Sequence, residues 1–202
     1  MPMPRWQGLC SHCRVLQNDG ASDMTQSIAQ PHVHPELISA QERVYRPCSM
    51  ACESLLPEAE SADYGAYSFL LNGLRIRFRV ANITPTKVGQ FVTLWQRVGT
   101  GPIQPFDMAD AVDCFVVAVR SGAHAGQFVF PKAVLRQHDV VSLAGQGGKR
   151  AMRVYPPWDV TTSRQALKTQ QWQLEYFLDV SDAQPMDTQR ALDLYAAAQP
   201  RV

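Results

Sequence analysis

Three arginines recur at every second position of one short run: Arg75, Arg77 and Arg79, separated by Ile76 and Phe78. Alternate side chains of an extended strand share a face, so the three guanidinium groups point one way. Lys87 follows just beyond the turn Thr84-Pro85-Thr86. Several cations on one sheet face can hold phosphate oxygens through forked hydrogen bonds and point charge. A solvated outer face with no ligand is the competing reading. More polar groups stand near strand and helix ends: Thr84 and Gln90 around the same turn, Arg150 and Arg153 on a later strand, Lys168 and Gln171 on a late helix. If the fold brings these ends together with Arg79 and Lys87, they form a basic concavity, and these eight residues are the expected ligand-binding set.

Asp107, Asp110 and Asp113 precede a strongly apolar segment. Carboxylates at the mouth of a strand can hold a divalent cation with help from substrate phosphate. The alternative is a set of turn and cap aspartates. Glu58, Glu60 and Asp63 form a second acidic cluster, read more simply as a solvated loop. Cys10-x-x-Cys13, His12, His32, His34 and the Cys48/Cys52 pair are zinc-ligand types. They lack a second Cys-x-x-Cys at finger spacing, so no zinc is expected. Residues 145–149 lack the Gly-x-x-x-x-Gly-Lys-Ser/Thr pattern and read as a mobile loop rather than a phosphate cradle. Cys114 lies inside an apolar run, where a thiol stays protonated and inert.

These groups depend on the elements that carry them. Residues 1–34 have no sustained apolar period and read as a poorly ordered extension, within which Met24 is an alternative start. Pro35 opens a helix over 35–45 that Pro47 ends, and a short helix over 49–55 follows. From residue 67 the period becomes two: a strand over 67–71, the hairpin pair Asn72-Gly73, a strand over 74–83, the Pro85 turn, and a strand over 90–97. The 75–97 strand pair is read as the heart of the domain. Residues 114–119 are continuously apolar, the pattern of a strand buried on both faces and central in its sheet. Residues 126–130 form its neighbour, Pro131 opens a short helix to Gln137, and 150–155 is another strand. A capped helix over 161–171 leads into 172–180, which fits a continued helix or a final strand and is read as the strand, and a last helix runs over 186–198.

The chain has 202 residues, 46% hydrophobic and 18% charged, enough for one well-buried core. A formal net charge of +1 gives no whole-protein attraction to polyanions, so anion binding has to come from a local cluster. No apolar run approaches the roughly 20 residues of a membrane span. Without a signal-peptide pattern, the expected location is the cytoplasm. Five cysteines, an odd number, argue for reduced thiols. The expected organisation is an extension over 1–34, one domain over 35–182, and a C-terminal helix and tail over 183–202.

Five strings go beyond composition: 78–97 (FRVANITPTKVGQFVTLWQR), 101–107 (GPIQPFD), 126–132 (GQFVFPK), 149–159 (KRAMRVYPPWD) and 168–173 (KTQQWQ). Together, in order across about residues 35–178, they resemble the MepB-like family. Members of that family are bacterial and take their name from a gene beside a multidrug efflux pump and its repressor. The resemblance implies an α/β (α+β) architecture with a restriction-endonuclease-like core, a mixed β-sheet flanked by helices. Metal-dependent nucleases of that fold pair a strand Asp with a Glu-x-Lys or Gln-x-Lys on the next strand. By this resemblance Asp107 and Asp113 would hold magnesium, and Gln127 would occupy the second position. Val129 stands where the lysine would, and Lys132 would reach back from beyond Pro131. The expectation is a binder of nucleic acid or nucleotide, with magnesium-dependent phosphodiester hydrolysis through Asp107, Asp113, Gln127 and Lys132 as its catalytic form. The alternative is a non-catalytic accessory protein whose polar residues are structural or bind a partner.

Overall fold

The structure, a computed structural model, describes residues 33–199. Met24, Cys10, His12, Cys13 and His32 therefore lie outside the described residues. A helix α1 (Pro35–Ala40), capped by His34 Nδ1 accepting the Glu36 N–H, runs on into a π-helical turn (Gln41–Tyr45). Strands β1 (Cys52–Pro57), β2 (Tyr67–Leu71) and β3 (Leu74–Val80) follow, then β4 (Asn82–Thr84), β5 (Lys87–Thr93), β6 (Trp95–Arg97) and β7 (Ile103–Pro105). Next come β8 (Cys114–Ser121), β9 (His124–Pro131), α2 (Lys132–Gln137), β10 (Ala151–Val154), α3 (Arg164–Leu174), β11 (Phe177–Asp179) and α4 (Thr188–Ala197).

The main sheet has six strands in the order β1-β2-β3-β8-β9-β11, mixed because β3 and β8 run parallel while the other pairs are antiparallel. Parallel neighbours need a long crossover. Here it is residues 81–113, which carry β4 to β7; β4 and β5 join the later β10 in a second sheet, β10-β5-β4, and β6 and β7 form a small pair. The alternating apolar pattern of 74–83 thus divides between two sheets, and the Thr84–Lys87 turn belongs to the smaller one. The heart of the fold is β8, whose residues 114–119 are all buried between β3 and β9, as its unbroken apolar run requires.

Each face of the main sheet covers a core. On one side Cys114, Val116 and Ala118 meet Leu37, Val44 and Tyr45 and, from α4, Ala191, Leu194 and Tyr195. These α4 residues sit at helical spacing, so burial of Leu194 alone contributes about 1.5–3 kcal/mol. On the other side Phe115, Val117, Phe128 and Phe130 meet Val92, Leu135 and Val154, with Trp172 of α3 packed at the edge. The helix expected over 49–55 is instead the edge strand β1. Just before it, the Ala51 N–H donates to the Asn72 side chain while the Asn72 N–H donates to the Ala51 carbonyl, and the β1–β2 register is interrupted between Glu53 and Leu56, beside Ser54 at φ +54°. The helix expected to end near Gln171 runs on to Leu174, and the strand expected over 172–180 is the shorter β11, Phe177–Asp179.

Candidate functional site

The arginine face of β3 exists as its spacing requires, and its cations are neutralised at home. Arg75 makes a forked pair with Asp113, Nε to Oδ2 at 2.8 Å and an Nη to Oδ1 at 2.6 Å, and its own N–H also donates to Oδ2. Arg77 and the fully buried Arg79 converge on Glu58, which the sequence placed in a solvated loop. Glu60 of the same cluster pairs with Arg97. Burial holds the Arg79 pKa below that of a free guanidinium, against the pull of Glu58.

The aspartates before β8 are likewise committed to their loop. Asp107 accepts from the Ala109 N–H, the Ser142 hydroxyl and the Gly145 N–H, and these bonds hold its carboxyl at about 2. Asp110 accepts from the Asp107 N–H and from Gln96. Asp113 is also lowered, by Arg75 first, against a desolvation that raises it. The Lys132 ammonium donates to the Met108 and Asp110 carbonyls at 2.8 Å each, knotting the loop over α2, and desolvation lowers its pKa. Gln127 is on the opposite face of the main sheet, where Tyr195 Oη donates to its Oε1 at 3.3 Å under α4. Asp107, Asp113 and Lys132 are therefore neighbours, and Gln127 is not among them. For a resident magnesium the donor set does not fit, because both carboxylates spend their oxygens on protein donors. Among the described residues no group of three or more His, Cys, Asp or Glu is arranged to hold a metal ion.

The other expected ligand residues meet elsewhere. Between the small sheet, the end of α2 and the exposed face of α3 lies an open cleft of about 710 Å³, walled by Lys87, Lys149, Arg153, Tyr155, His138 and Trp172 among others. No carboxylate lines it. A smaller pocket of about 280 Å³ adjoins it through His138, Thr169 and Trp172 and adds Lys168, Gln171 and Glu175. Of the expected ligand-binding residues, Lys87 and Arg153 thus line the larger cleft, and Lys168 and Gln171 line the smaller pocket. Arg79 and Gln90 are buried and line neither pocket, Gln90 donating to the Arg120 carbonyl, and Arg150 is exposed outside the lining.

Local structure explains the cleft's shape. Arg153 clamps the β4–β5 turn, donating to the Thr84 hydroxyl at 2.7 Å and the Gly89 carbonyl at 2.9 Å, which assigns Thr84 a supporting place. Gly89 sits at φ +85°, and a Cβ there would come within 2.6 Å of the Tyr155 ring, so no other residue permits this approach of β5 to β10. Ser163 caps α3 by accepting the Ala166 N–H. Gln173 then bonds both ways to β10, its Oε1 accepting the Tyr155 N–H and its Nε2 donating to the Arg153 carbonyl, both at 2.9 Å. Gln170 holds the Pro156 and Asp159 carbonyls. The amides that fix the helix to the sheet are thus Gln170 and Gln173, while Gln171 faces the smaller pocket.

Several residues of this site were not singled out as ligand-binding from sequence, among them Lys149, His138, Tyr155, Trp172 and Glu175. The His138 and Trp172 rings stack at 3.8 Å and 10°, and Phe130 packs against Trp172 at 5.4 Å. His138 titrates below its ordinary value, through burial first and then the charges of Lys149 and Lys168, with Glu175 opposing. Those couplings place both lysines and the glutamate around one imidazole. His138 and Lys149 flank a turn-rich segment with no periodicity, so nothing local in the sequence marked them.

No helix among the described residues is long and apolar enough to cross a membrane. No curated protein matches the chain. A solved structure described as the crystal structure of MepB is similar, with 33% sequence identity over 63% of this chain and 86% of that one, and a TM-score of 0.61. The MepB-like family model matches residues 58–179, a span that contains every cleft residue and excludes α1, β1 and α4. The chain therefore belongs to the MepB-like family.

Proposed function

We propose that this protein binds phosphate-bearing ligands, single-stranded nucleic acid or nucleotide, in the cleft between β10 and α3. One observation carries the reading: Lys87, Lys149 and Arg153 line a single open cleft without a carboxylate, and Lys168 stands in the pocket that adjoins it. In a chain with a formal net charge of +1 this is a local concentration of positive charge, and phosphate is the common ligand such a wall attracts. The open shape suits a strand laid along it better than a closed small-molecule site.

The reading is of a binder. A hydrolytic form, with a restriction-endonuclease-like core and magnesium on Asp107 and Asp113, would need carboxylates released from the Arg75 pair and from the Ser142 and Gly145 bonds, and Gln127 brought through the sheet. The non-catalytic alternative draws support from the same bonds, since these polar residues already serve the fold.

The test is fluorescence anisotropy of a labelled single strand of about 12 nucleotides, within the range that one binding groove covers. Wild type binds at low salt, Lys149→Glu with Lys168→Glu does not, and Asp113→Asn binds like wild type once its fold is verified. Binding unchanged by the double charge reversal refutes the cleft as the site. Cleavage of the strand with magnesium or manganese that is lost in Asp113→Asn would restore the hydrolytic reading.

A further inference from the structure

The two adjoining pockets differ in chemistry. The larger is cationic and without acid, while the smaller sets Glu175 beside Lys168 and Gln171, with the His138–Trp172 stack as their shared wall. A carboxylate repels phosphate, so Glu175 makes the smaller pocket the wrong place for the anionic part of a nucleotide. Its volume of about 280 Å³ lies below the roughly 300–1,000 Å³ usual for a whole small-molecule ligand and suits a single ring system.

Its walls are what a planar heterocycle needs. Trp172 is fixed at one edge by Phe130, and His138 lies flat on it, so the stack is a rigid shelf tied to the core. His138 is half-buried and lines both pockets, so the shelf sits at their junction. Unpaired bases stack on aromatic and histidine rings because every base presents a π-face. Gln171 of α3 and Glu175 at its C-cap lie one helical turn apart and supply the edge contacts, with Lys168 a turn earlier on the same helix.

The signs of those contacts select among bases. A carboxylate only accepts, Lys only donates, and an amide does both. Guanine offers two adjacent N–H donors on its Watson–Crick edge and a carbonyl oxygen next to them. Adenine and cytosine each place a ring-nitrogen acceptor beside their single amino donor, which would face the Glu175 oxygens unfavourably. Uracil flanks its one N–H with two carbonyls.

Resting on the reading of the cleft as a phosphate site, we infer that the smaller pocket is a base subsite for an unpaired guanine. The guanine's phosphates run into the neighbouring cleft toward Lys149, Lys87 and Arg153. Glu175 takes the two N–H donors and Gln171 donates to the guanine oxygen, while the Lys168 ammonium stays with the phosphates.

The experiment compares short labelled single strands that are identical except at one central position, which carries guanine, adenine or an abasic sugar. Wild type binds the guanine strand about 5-fold or more tighter than the abasic one, from stacking and edge contacts together, and tighter than the adenine strand. Glu175→Gln, a change at an exposed residue, brings the guanine-to-adenine ratio close to one. Equal binding of guanine and abasic strands overturns the base subsite while leaving phosphate recognition standing. Equal binding of guanine and adenine, or a ratio unmoved by Glu175→Gln, overturns the guanine assignment. Failure of every strand to bind at low salt removes the phosphate reading and the subsite with it.

Discussion

Neutralising Lys149 and Lys168 together should change the salt dependence of single-strand binding by a calculable amount. Binding to a single strand releases counterions, and log K falls with log salt at a slope of about −0.7 per phosphate neutralised. Lys87, Lys149, Arg153 and Lys168 are the cations that the two pockets present. With one phosphate each, the slope is about −2.8, so affinity falls about 50-fold between about 50 mM and about 200 mM salt. Lys149→Gln with Lys168→Gln halves the slope to about −1.4 and the loss over the same range to about 7-fold. The two lysines suit the test because both are exposed and neither makes an ion pair among the described residues. Arg153 is less suitable, since its bonds to Thr84 and Gly89 hold the turn. Lys132→Gln serves as the comparison: its ammonium is bound to two loop carbonyls outside the cleft, so the wild-type slope should persist. Anisotropy titrations at four or so salt concentrations give the slopes. A double-variant slope equal to that of wild type, or a slope that Lys132→Gln reduces as much, would refute the assignment of the cleft.

Two predictions concern the polar framework. The Arg79 side chain is 1% exposed and its charge partner is Glu58, so Glu58→Ala strands a buried guanidinium and should cost about 3–5 kcal/mol. Arg79→Met should cost less because Glu58 keeps Arg77; urea denaturation followed by circular dichroism decides, and the reverse order of losses contradicts the account. Asp107 titrates at about 2 in the fold, below its ordinary value, so its stabilising contribution is complete above about pH 4 and is lost as pH falls through about 2. The stability gap between wild type and Asp107→Asn should therefore be widest near neutral pH and close on acidification, and a gap that widens in acid would reverse the sign of the argument.

Much of the fold was legible because its signals are local. The two-residue period of β2 and β3, the Asn72-Gly73 turn, the unbroken apolar run of β8 and the Pro131 helix start each report on a few neighbouring residues, whatever the rest of the chain does. Failures came where a local pattern served a distant partner. Cys52–Pro57 has no clean alternation, because only Cys52 and Leu55 of this edge strand are partly buried, three residues apart, and its pairing with β2 does the rest. Residues 74–83 read as one strand because apolar alternation cannot tell which of two sheets each half joins.

For the site, the sequence by itself determined which side chains carry charge and that Arg75, Arg77 and Arg79 share a face, since alternation is a property of any strand. Only the tertiary structure decided that this face is neutralised, by Glu58 and Asp113, residues 19 to 38 positions away from their arginines. It also left the unpaired positive charge on Lys87, Lys149, Arg153 and Lys168, which come from three separate segments. Charge identity is written residue by residue, but whether a charge is spent or available depends on what opposes it in space, and that is settled by the segment after β1 that brings Glu58 onto β3, by the end of the crossover that brings Asp113, and by the seat of α3 on β10.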